Sequence, residues 1–206
     1  MEKKKNDFIA QGSILAIASI LVRVMGMIYR IPMTAIIGDK GNGFYSYAYS
    51  VYTILLLLSS YSLPLAVSKM VSAKAQLGQW RNVKRVFICA IAFAIGIGTT
   101  FGLIVLIGAQ FFTRVFFHSE LAAIALRFMA PTILIMALLG VFRGFFQGLQ
   151  NTLPTAVSQI VEGLINAIMS VVFAYFLFDF GHGMDVAGGT TDLGYAWGAA
   201  GGAIGT

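Results

Sequence analysis

The chain has 206 residues, 58% of them hydrophobic and only 11% charged, with a mean hydropathy of +0.84. A soluble domain carries roughly 25% charged residues, so this composition excludes a water-soluble globular protein and puts the chain in a bilayer. The apolar blocks are long and do not alternate, which argues for membrane-spanning helices over barrel strands. The net charge of +6 is placed as a membrane protein places it, not as a nucleic-acid-binding face.

A crossing helix needs about 20 apolar residues. The first run, 8–37, exceeds that. Three lysines precede it (Lys3, Lys4, Lys5), and Ala16-Ile17-Ala18 mimics a signal-peptide site. The apolar run continues past that site to Ile37, so it reads as a retained span. Arg23 and Arg30 interrupt it. Seven helical steps fall only about 20° short of two turns, so both arginines share one face, with Arg23 near mid-depth. A mid-membrane arginine costs at least ~2.5 kcal/mol, so it should face a bundle interior or a wet cavity. Its planar fork suits phosphate oxygens. The alternatives are an internal ion pair or, for Arg30, snorkelling to outer headgroups.

A loop over 38–43, "GDKGNG", holds Asp39 and leads to the second run, 44–67. Segment 68–85 carries Lys69, Lys74, Arg81, Lys84 and Arg85 around Trp80, and reads as a short amphipathic helix and turn at a headgroup surface. The third run is 86–112. It contains Gly98 and Gly102, a small-residue face for close helix packing. It also contains Cys89, the only cysteine, so no internal disulfide exists. The fourth run, 121–141, carries Arg127 in its first two turns and leads into a turn with Arg143, Gln147, Gln150 and Asn151. Gly140, Gly144 and Gly148 repeat at four there.

The fifth run, 153–178, places Gln159, Glu162 and Asn166 on one face. A carboxylate there needs a partner or a proton. Glu162 is expected to pair with Arg23, bind a coupling cation, shuttle a proton or clamp two helices. The stretch 179–192, with Asp179, His182, Asp185 and Asp192, reads as a solvated loop and not as a metal site. A sixth run, 193–206, is too short to span. The chain therefore reads as five complete transmembrane helices plus a truncated sixth, a fragment forming one unit over 1–206.

Nine cationic residues lie on the side of the N-terminus and two on the other, with Arg23, Arg30 and Arg127 inside the runs. The positive-inside rule then predicts a cytoplasmic N-terminus in a multi-pass protein of the cell membrane. No motif for enzyme chemistry, metal or cofactor is present.

The run "SILVRVMGMIYRIPMTAIIGDKGNGFYSYAYSVYTILLLLSSYSLPLAVSKMVSA" from Ser19 resembles the first two helices of the polysaccharide-transport and lipid II flippase family. That family belongs to the multidrug/oligosaccharidyl-lipid/polysaccharide exporter superfamily, and the similarity is to its stage V sporulation protein B-like branch. "FRGFFQGLQNTLPTAVSQIVEG" from Phe142 resembles that branch's fourth-to-fifth helix junction. The resemblance implies an all-α polytopic membrane protein, one lobe of a two-lobe alternating-access transporter whose C-terminal lobe is missing here. It implies a lipid-linked pyrophosphate as substrate, held in a central cavity by arginines of the first helix. Arg23 matches the first such position. The second falls at Tyr29, one residue before Arg30, and Asp39 matches a polar outer-loop position. The remaining readings are a cation-coupled multidrug exporter of the same superfamily and a non-transporting scaffold for envelope synthesis.

Overall fold

A computed structural model describes residues 2–59, 62–188 and 192–205, with side chains from Gly12 onward; among these residues the regular structure is all α-helix. The helices are α1 (Glu2–Ser59), α2 (Leu63–Gln76), α3 (Trp80–Phe117), α4 (Ala122–Gly148), α5 (Leu153–Gly188) and α6 (Leu193–Ile204). Four stretches are long and apolar enough to cross a membrane: Gly12–Gln76, Trp80–Phe117, Ala122–Gly148 and Leu153–Gly188. The first is 65 residues long, well over the length one crossing needs. Large apolar side chains point outward along these helices, Ile31 at 74% exposure and Ile107 at 80%. In water such a surface would aggregate; in hydrocarbon it is the solvated face. The chain is an all-α polytopic membrane protein.

α1 is two limbs joined at Gly38. That residue has φ 64 and ψ −177, a region essentially reserved for glycine because any Cβ clashes there. A straight helix would separate Tyr29 from Tyr45 by about 24 Å. Instead both line one cavity, together with Gly26 and Ser50. The limbs therefore fold back on each other. The expected loop over 38–43 is corrected: helix resumes directly after Gly38, because that one glycine supplies the whole reversal. The second limb ends at Ser59 and α2 starts at Leu63, so the expected run 44–67 is divided. Pro64 sits in the first turn of α2, where its missing N–H costs nothing.

The turns gather at two ends. At the Gly38 end, Lys40 Nζ donates to Asp192 Oδ1 at 3.0 Å, and Tyr47 stacks on Phe117. Asp192 holds the Lys40 ammonium above the usual lysine range, so this exposed contact is present at neutral pH and lost as pH rises through that value. At the other end, the α2–α3 and α4–α5 turns meet around Trp80, Gly148 and Gln150. We call this the Trp80 end. Segment 68–85 and Arg143 thus lie toward the same end, as the alternation of charged connections predicts.

Glycines set the helix contacts. Gly98 faces Leu134 of α4, Gly144 faces the Pro64 backbone of α2, and Gly148 faces Val71. α6 is the innermost helix, with Gly198, Ala199, Ala200, Gly201, Gly202 and Ala203 all buried. A Cβ at Gly201 would overlap the Phe173 backbone of α5. Gly201→Ala should therefore destabilise the protein by about 1–3 kcal/mol through overpacking, read as a lower midpoint of thermal unfolding in detergent. Gly183→Ala, where nothing lies within 4 Å of the new Cβ, should leave it unchanged.

The expected loop over 179–192 is also corrected. α5 runs on to Gly188, and Asp185 is buried. Its carboxylate accepts from Leu193 N at 3.0 Å and Gly194 N at 2.7 Å. These are the orphan amides of the first turn of α6, and a negative charge there also meets the positive end of the helix dipole. Asp185→Ala should cost about 1–2 kcal/mol, as lost caps do. Faster hydrogen exchange at the α6 amides would report it; unchanged exchange there would show the cap is dispensable.

Candidate functional site

The first limb of α1 brings Gly26, Tyr29, Arg30 and Met33 against the second limb, which contributes Tyr45, Ser46, Tyr49 and Ser50; Asn166 of α5 closes the group. Between them is a cavity of about 350 Å³. The spacing explains the lining. Positions 26, 29, 30 and 33 share one helical face, and 45, 46, 49 and 50 share another. Folding at Gly38 turns the two faces toward each other.

The wall is polar and aromatic. Tyr45 and Tyr49 stack with centroids 5.8 Å apart. Asn166 Oδ1 lies 2.9 Å from Ser170 Oγ, whose one hydroxyl hydrogen donates either to it or to the Gly202 carbonyl of α6 at 3.1 Å. Arg30 is exposed and makes no ion pair among the described residues. Its guanidinium is therefore free to bind an anion, with phenolic and amide groups beside it. Arg30 also borders a second feature, an open groove of about 520 Å³ with Met27, Ile31, Thr34 and Ala35. One arginine thus stands between a polar cavity and an apolar groove.

The other expected residues are distributed differently. Arg23 is exposed on the same face as Arg30 but lies outside the cavity lining. Asp39 is exposed just past the Gly38 break, without an ion pair among the described residues. Glu162 does not pair with Arg23. It is bound by Arg143 of α4, whose Nη2 donates to Glu162 Oε2 and whose Nε donates to Ser158 Oγ at 3.1 Å. The physical reason is reach. Gly163 packs against Val22 and Met25, so α5 meets apolar residues of the first limb there and turns Glu162 toward α4. Arg143 itself lies inside α4, which continues to Gly148, and not in a turn. Gln159 Oε1 is buried with no hydrogen-bond partner among the described residues. Of the α5 residues singled out, only Asn166 shares the cavity with Arg30.

Sequence reading missed the tyrosines and serines of the second limb. The signal was present in "FYSYAYSVYT": Tyr45 and Tyr49, and Ser46 and Ser50, recur at four and make a polar stripe on an otherwise apolar helix.

Comparison with known proteins adds the relatives. The chain is 26% identical over 200 residues to "Lipid II flippase MurJ" of Bacillus subtilis (strain 168), covering 93% of this chain and 37% of that protein. It is 26% identical over 174 residues to "Stage V sporulation protein B" of the same organism, covering 84% and 34%. A third relative there, "Uncharacterized membrane protein YabM", is 26% identical over 185 residues, covering 89% and 34%. The chain thus spans about a third of the length of the curated relatives it matches. No solved structure matches it significantly. The profile of the family described as "Polysaccharide biosynthesis protein" matches residues 8–187, most of the length, and the chain belongs to that family.

Proposed function

We propose that the full-length protein is a flippase that moves a lipid-linked oligosaccharide or peptidoglycan precursor across the cytoplasmic membrane, with this chain as one lobe of a two-lobe alternating-access transporter. One observation carries the reading: Arg30 borders both a polar cavity and an apolar groove. A lipid-linked pyrophosphate sugar is divided in the same way. Its anion and sugar need polar partners, its tail needs hydrocarbon, and the pyrophosphate lies between them. The guanidinium offers paired donors to that pyrophosphate and offsets the cost of taking its charge out of water. Arg23, two turns along the same face, is the next cation toward the Trp80 end. With the N-terminus cytoplasmic, as the distribution of lysine and arginine supports, the two arginines form a path from mid-depth toward the outer surface. The similarity to a lipid II flippase agrees with a lipid-linked cell-envelope precursor.

The capture of Glu162 by Arg143 weighs against the cation-coupled drug exporter, which needs that carboxylate for its coupling ion. The test is reconstitution of the full-length protein in vesicles carrying a fluorescent lipid-linked pyrophosphate sugar. Headgroups of the inner leaflet should become accessible to an impermeant quencher, and a neutral glycolipid should stay where it is. Transport of neither lipid would end the flippase reading. Equal transport of both would end the anion-capture mechanism.

A further inference from the structure

The Trp80 end carries a second feature, independent of the flippase reading. Ser72 and Gln76 of α2, Trp80 of α3, and Gly148 and Gln150 of the α4–α5 turn border a groove of about 430 Å³. Lys69 shares the groove face of α2 while Lys74 lies on the opposite one, and Arg81, Lys84 and Arg85 follow Trp80 on α3. None of these five cations makes an ion pair among the described residues. The reason is in the sequence: no Asp or Glu occurs between Asp39 and Glu120. Glu162, the carboxylate of α5 nearest this end, is already taken by Arg143. The cluster is therefore an uncompensated positive field, with hydrogen-bonding groups in the groove beside it.

Its depth points to the occupant. The apolar part of α3 starts at Val86, so Arg81, Lys84 and Arg85 stand within about 8 Å of the hydrocarbon edge. That is the level of lipid phosphates. Trp80, Lys84 and Ile88 recur at four and share one face of α3. Trp80 is 63% exposed and Ile88 55%. From the end inward this face reads aromatic anchor, cation, apolar. That is the order an anionic lipid presents to a helix lying against it: headgroup, phosphate, acyl chain. A soluble phosphate would use the cations but not the Ile88 face.

We propose that the groove between the α2–α3 and α4–α5 turns binds the headgroup of an anionic phospholipid, with Trp80 over it and Lys69 and Lys84 on its phosphate. The experiment uses the full-length protein in phosphatidylcholine vesicles, with brominated phosphatidylglycerol or brominated phosphatidylcholine added stepwise. Trp80 emission is taken as the difference between the wild type and Trp80→Phe, which removes every other tryptophan from the signal. Half-maximal quenching should need about tenfold less brominated phosphatidylglycerol than brominated phosphatidylcholine. Lys69→Gln with Lys84→Gln should reduce that preference at least fivefold, since each interfacial cation is worth roughly fivefold. Lys40→Gln, at the opposite end, should leave it intact. Equal quenching by the two lipids, or a preference untouched by the double variant, overturns the proposal. Displacement by millimolar glycerol 3-phosphate would also overturn it, because the groove would then be a soluble-anion site.

Discussion

Arg30→Ala in the full-length protein should slow translocation of the lipid-linked headgroup by about 10- to 100-fold, the worth of a hydrogen-bonded charge contact of roughly 1.5–3 kcal/mol. The protein should fold normally. Arg30 is exposed and makes no ion pair among the described residues, so its removal leaves no buried charge behind and should shift stability by no more than about 0.5 kcal/mol. Arg30→Lys separates two contributions. It keeps the charge but loses the planar fork, so it should restore only part of the rate if two pyrophosphate oxygens are gripped together. Arg23→Ala should cost less, because Arg23 stands outside the cavity. Rates are compared at equal protein per vesicle. If Arg30→Ala transports at the wild-type rate while Arg23→Ala does not, the capture point is at mid-depth and the cavity around Arg30 is not the site.

The contrast between the two arginines shows what a sequence carries and what it does not. The shared face of Arg23 and Arg30 follows from helical geometry alone and was legible. Which of them lines a cavity depends on where the chain reverses, and that was set by the φ of a single residue, Gly38. A run of "GDKGNG" looks like a flexible loop by composition; one glycine in a conformation closed to other residues did the work of six. Close packing at Gly98, Gly144 and Gly148 was legible because small residues at four-residue spacing mark a helix contact wherever the partner lies. The partner itself was not legible. Glu162 lies only 19 residues after Arg143, and a turn between helices makes such a pair natural. Placing Arg143 in that turn hid the possibility. The end of α5 was obscured in the same way. The glycines and aspartates of "DFGHGMDVAGG" have loop composition, yet Asp185 is held by the first amides of α6, a tertiary contact that outweighs the weak helix propensity.

Arg143→Ala should destabilise the protein by about 2 kcal/mol. Breaking a buried ion pair by removing one partner costs about 3–5 kcal/mol, because a charge is left without compensation. This pair falls below that range because it is only partly buried: the Glu162 side chain keeps 34% exposure against 16% for Arg143. The loss has a second part. Arg143 Nε also donates to Ser158 Oγ, whose hydroxyl is already committed to the Thr155 carbonyl at 2.8 Å. Without the guanidinium, α4 loses its polar tie to two successive turns of α5. Glu162→Gln should cost less, since a neutral amide oxygen still accepts from Arg143. Replacing both ends together, Arg143→Met with Glu162→Leu, should recover most of the stability, because no unpaired charge remains and both side chains suit an apolar setting. Thermal unfolding in detergent measures all three variants. The coupling between the single changes should be well above the few tenths of a kcal/mol seen for independent sites. If the double variant is as unstable as the sum of the singles, the pair does not bind α4 to α5. If it is stable yet transports at a reduced rate, the pair matters for the motion between states, and its charge has been retained for transport and not for the fold.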